Sequence, residues 1–147
     1  MKKQIAAIIV LLTFFLVISA VSVSAQTNQK ITVEIPFRFI VVGDQYEAGQ
    51  YVIEQLDAQK DPFMMTLSGA NIAEKKVFIT QSLQAETPVE NVQIVFSQYD
   101  EDTYFLSEIW TGNTKDGLVI PMGRIERKLE RFMKKTKQKV EIKASLQ

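Results

Sequence analysis

Lys30-Ile31-Thr32-Val33-Glu34-Ile35-Pro36-Phe37-Arg38-Phe39-Ile40-Val41-Val42-Gly43-Asp44 is the stretch that decides the fold class. Its first six residues alternate, with Ile31, Val33 and Ile35 on one face and Thr32 and Glu34 on the other, which is the period of a half-buried strand. After Pro36 the alternation resumes. Phe37, Phe39 and Val41 share a face, with Arg38, Ile40 and Val42 opposite, and Gly43-Asp44 marks a turn.

The same grammar continues downstream. Ala48-Gly49 is a second turn, and a strand follows from Tyr51 to Leu56. Asp61-Pro62 breaks the chain before Phe63 resumes it. Val77, Ile79 and Leu83 align on one face, as do Val92, Ile94 and Phe96. The polar turn Asp100-Glu101-Asp102 then joins that run to Tyr104-Phe105-Leu106-Ser107-Glu108-Ile109-Trp110 as a hairpin. Thr111-Gly112-Asn113 and Asp116-Gly117 are loop signals, and Leu118 to Ile120 closes the series. About seven or eight short strands with close turns predict a mainly β domain, an antiparallel small barrel or a sandwich.

The period changes near the C-terminus. Ile125, Leu129, Phe132 and Met133 stand at i, i+4, i+7 and i+8, which predicts one amphipathic helix over about residues 122–136 with that stripe turned to the sheet. Arg124, Arg127, Lys128, Arg131, Lys134 and Lys135 take much of its remaining surface. Residues 137–147 are polar apart from Ala144 and the large apolar Val140, Ile142 and Leu146, and are expected to form a frayed tail.

Upstream, Lys2 and Lys3 precede an apolar run over residues 5–20, and Val23 and Ala25 stand at the −3 and −1 positions of a small-residue cleavage site. This three-part pattern is that of a signal peptide over residues 1–25. It places the protein outside the cytoplasm, periplasmic or secreted, as a single β-rich domain over residues 26–136 followed by the tail. The competing reading is a retained anchor, but the run is near the lower length limit for crossing a bilayer.

Composition narrows the chemistry. The chain has no cysteine and no histidine. Disulfides, thiol chemistry, a Ser-His-Asp triad and zinc held by Cys or His are therefore excluded. The net charge is zero, yet residues 26–122 carry 6 basic and 14 acidic side chains, while residues 123–147 carry 9 basic and 3 acidic. The basic helix face, with Arg127, Arg131 and Lys134, either balances the acidic body or contacts an anionic envelope surface such as a membrane. An exported chain is not expected to meet nucleic acid.

Other candidate groups are few. Phe39, Tyr51, Phe96 and Trp110 either line an interior ligand cavity or pack the core. Glu108 is placed on the strand face of Leu106 and Trp110, with Arg38 and Arg124 as candidate ion-pair partners. The six glycines are dispersed and form no phosphate loop. Asp100-Glu101-Asp102 is too short for a calcium loop.

Ile35-Pro36-Phe37-Arg38-Phe39, Val42-Gly43 and Ala48-Gly49-Gln50-Tyr51-Val52-Ile53 together resemble the pattern V-P-F-x-F-x-V-G-x-x-x-x-P-A-G-x-Y-x-V of a family of small, exported, β-rich bacterial proteins of unknown function. Tyr104-Phe105-Leu106-Ser107-Glu108-Ile109-Trp110, Ile120-Pro121 and the pair Arg124 and Arg127 fit it too. Glu47 stands where the pattern has proline. The resemblance implies an exported β domain and no activity. The expected function is a non-enzymatic envelope binding or interaction module without a cofactor, its partner an envelope component or a small apolar molecule. The alternatives are a carrier of an apolar ligand in a barrel interior and, last, a carboxylate-based enzyme.

Overall fold

A computed structural model describes residues 29–133 and 137–147. The segment read as a signal peptide lies outside the described residues, as does Lys134. The described chain is mainly β, in two sheets with one helix. The strands are β1 (Lys30–Ile35), β2 (Phe39–Val41), β3 (Asp44–Tyr46), β4 (Gly49–Asp57), β5 (Asp61–Gly69), β6 (Lys76–Ile79), β7 (Gln81–Val89), β8 (Val92–Gln98), β9 (Tyr104–Thr111), β10 (Thr114–Val119), β11 (Gln138–Lys143) and β12 (Ser145–Leu146). The helix α1 (Arg124–Met133) lies between β10 and β11.

One sheet has the order β12-β1-β4-β5-β6, the other β11-β8-β9-β10-β7, with the β2–β3 hairpin attached to β9 through β2. Among the described residues the sheets do not close into a barrel. They face each other as a sandwich, because the alternation of each sheet turns one apolar face inward. From the first sheet come Ile31, Val33, Ile35, Tyr51, Ile53, Leu67 and Phe78; from the second, Phe39, Val41, Ile94, Phe96, Leu106 and Ile109.

Three of the four aromatic candidates, Phe39, Tyr51 and Phe96, pack in this core. The ring of Phe39 lies 5.0 Å from that of Tyr51 and 5.6 Å from that of Phe96, both near perpendicular. Edge-to-face contacts at that spacing leave no room for a ligand between the rings. Trp110 is elsewhere, on the outer face of β9 and against Gly117, where an added Cβ would fall 2.6 Å from the indole.

Three expectations are corrected. The tail over residues 137–147 is not frayed: β11 pairs with β8 from Gln138↔Gln98 to Lys143↔Gln93, and β12 pairs with β1. Its three large apolar residues are spaced two or four apart, so Val140 and Ile142 fall on one strand face and pack against the core. On β6 it is Phe78, not Val77 or Ile79, that turns inward, since the strand pairs as Phe78↔Met65 and the larger side chain takes the buried side. The helix, finally, begins at Arg124, two residues later than expected, and is rotated. Leu129 and Met133 are half-buried, whereas Ile125 is 58% and Phe132 86% exposed.

Candidate functional site

The rotation of α1 has a cause in its own sequence. Glu126 and Glu130 are four residues apart and so lie on one face, away from the cations. Both point at Tyr99, just past the end of β8. The Tyr99 hydroxyl donates to Glu130 Oε2 at 2.7 Å and reaches Glu126 Oε1 at 3.3 Å. Lys137, at the entry to β11, pairs with Glu130 at 3.1 Å and sits 5.4 Å from the centre of the Tyr99 ring. Tyr99 is fully buried and packs edge-on against Phe105 at 5.6 Å. The polar clamp therefore decides which helix face turns inward, and the apolar stripe does not. Composition hid it, because the helix reads as basic; the Glu126–Glu130 spacing was the available signal.

Burial pushes the Tyr99 hydroxyl well above its ordinary range, and the hydrogen bond to Glu130 adds to this. Burial likewise raises the Glu126 carboxyl, although Tyr99 and Lys137 pull it the other way. A tyrosine held this firmly in its protonated form is a poor base or nucleophile. The clamp is built for holding. Glu126 has a native pKa above its ordinary value of 4.5. Its contribution to stability is thus complete below that value and is lost as pH rises through the native one. Glu126→Gln cannot titrate. Urea unfolding of both proteins at several pH values should show the variant gaining on the natural chain in the pH window that opens above 4.5. A constant difference across that window would remove Glu126 as the titrating group.

Beside the clamp is a cleft of about 390 Å³, lined by Ile40, Val42, Gly43, Phe105, Leu106, Ile120, Pro121, Gly123, Arg124, Ile125 and Glu126. Sequence order explains its position. β2 carries Ile40 outward beside Phe105, to which it is paired. The segment after β10 is held by Ile120 N–H donating to Ser107 O at 2.8 Å, and it brings Pro121 and the start of α1 across the opening. The lip of the cleft is strained. Val41 and Asp44 are paired, so Val42-Gly43 is a two-residue hairpin turn, with φ of 47° and 90°. Both signs are those of a type I′ turn, where Asn or Gly is the ordinary first residue. A β-branched valine there costs roughly 1–3 kcal/mol, and such strain concentrates at functional sites. Val42 is also half-exposed, at 51%.

The remaining candidates are dispersed. Glu108 accepts from Trp110 Nε1 at 3.0 Å and from Lys139 Nζ at 2.6 Å, not from Arg38 or Arg124. The irregularity between Val95 and Phe96 leaves Ser107 as an extra residue in β9, putting Glu108 with Trp110 on the outer face and Leu106 in the core. Arg38 instead pairs with Glu47 at 3.1 Å across exposed surface. Arg124 lines the cleft. Among the described residues, no three acidic side chains gather as metal ligands, and every buried side-chain polar atom has a hydrogen-bond partner. Comparison of the chain with protein-family models, with curated proteins and with solved structures finds no match.

Proposed function

We propose that this protein is an exported, non-enzymatic binding module of the cell envelope, and that it takes an apolar group of its ligand into the cleft beside Val42. The observation that carries the reading is the lip of that cleft. A valine is kept in a left-handed turn position at a cost, with its side chain half-exposed among Ile40, Ile120 and Ile125. Asparagine would relieve the strain but would not offer the apolar surface. Apolar walls with a few polar groups at the rim, here Arg124 and Glu126, are the usual makeup of a small-ligand site. The leader-like pattern of residues 1–25 and the resemblance to small exported β proteins support the placement outside the cytoplasm.

The test is native mass spectrometry of the protein recovered from the envelope fraction of cells that make it, beside Val42→Asn. The natural chain is expected in that fraction carrying an apolar adduct. The variant is expected to be about 1 kcal/mol more stable and to have lost the adduct. A natural chain without adduct, or a variant with the same occupancy, would overturn the assignment.

A further inference from the structure

The helix separates its charges completely. Successive residues of α1 turn by about 100°, so Glu126, Glu130 and Met133 share the inner side. Arg124, Arg127, Lys128 and Arg131 are all exposed and spread over the outer side. Ile125 and Phe132, nearly aligned one above the other, stand at the border of that cationic arc, with Met122, 37% exposed, just before the helix. Among the described residues none of the four cations forms an ion pair, although residues 26–122 carry 14 acidic side chains against 6 basic ones. No ion pair therefore ties the basic face to the body. Both carboxylates that would weaken its field are turned to Tyr99.

We infer that this outer face of α1 docks on an anionic phospholipid surface, with Phe132 and Ile125 entering the headgroup boundary and Arg124, Arg127, Lys128 and Arg131 meeting lipid phosphates. The charge pattern selects this occupant. A surface of lone cations around one fully exposed phenylalanine is complementary to a dense, laterally continuous sheet of negative charge, and interfacial helices have this composition. A second copy of the chain would bring the same cations face to face. Arg124 and Ile125 also border the cleft, but Arg127, Arg131 and Phe132, which carry the test, do not line it.

The experiment is co-sedimentation of the full chain with vesicles of phosphatidylcholine alone and of phosphatidylcholine mixed about two to one with phosphatidylglycerol. Binding is expected to the mixed vesicles only and to weaken with added salt. Each basic residue near such a surface contributes about fivefold, so the double variant Arg127→Gln, Arg131→Gln should bind about thirtyfold more weakly. Phe132→Ser should also lose about tenfold or more, and its melting temperature should stay unchanged because the ring is in water. Equal binding to both vesicle types, as the apolar segment over residues 5–20 would give, overturns the inference. So does no binding to either, or undiminished binding by the double variant.

Discussion

A chain ended at Thr136 is expected to lose its cooperative unfolding transition at room temperature. The deletion removes β11 along its whole length from β8 and β12 from β1. It also takes away the paired bonds between Lys30 and Gln147, N–H to O at 3.3 and 2.8 Å, and the donation from Ala144 N–H to Val92 O at 2.9 Å. Val140, Ile142 and Ala144 leave the edge of the core. Two half-buried aliphatic side chains contribute about 1 kcal/mol each or more, and each backbone hydrogen bond about 0.5–1.5 kcal/mol net. The sum is comparable to the whole stability of a domain this size, about 5–15 kcal/mol. Both sheets are moreover left with a bare edge at β8 and β1, which invites association. Near-ultraviolet circular dichroism and urea unfolding of the shortened chain would show it. A sigmoidal urea transition close to that of the full chain would mean that the last eleven residues are ornamental.

Phe39→Ala should cost about 3–5 kcal/mol, seen as a fall in melting temperature of about 10 °C or more. Phe39 is fully buried, and its ring touches Tyr46, Tyr51 and Phe96, so truncation opens a hole bordered by three aromatic faces. The neighbouring rings cannot close it, because Tyr51 is fixed by its hydroxyl donating to Glu47 O at 2.6 Å and abuts Gly69 closely. Phe132→Ala is the control. It is the same substitution at an 86% exposed position and should change stability by less than about 0.5 kcal/mol. If Phe39→Ala instead left stability intact and altered ligand content, the ring would be lining a site rather than filling the core.

The strands were legible in the sequence where burial is one-sided and regular. Ile31, Val33 and Ile35 alternate without interruption, and all three are inside. The hairpin around Asp100-Glu101-Asp102 could be read because acidic turn residues separate two apolar runs, and β8 and β9 do pair across it. What failed to show was whatever depends on partners. The extra residue in β9 inverts the side on which Glu108 falls, and nothing local announces it. The tail looked polar because one face of β11 is in water, yet two apolar residues at period two suffice for a strand at a sheet edge. In the helix the apolar count outweighed the carboxylates in the reading, while in the fold a buried tyrosine needing acceptors outweighed the apolar stripe. The cleft was beyond sequence, since it joins residues from β2, β9 and the start of α1 that are far apart in the chain.

The pairing of the first described strand with the last sets an order of events for the nascent chain. While the final residues are still being synthesised, β1 and β8 each lack a neighbour, and neither sheet is complete. Contacts this distant in sequence also form slowly, because a long loop must close before they are gained. A polypeptide wired in this way completes its two sheets only once β11 and β12 have been made.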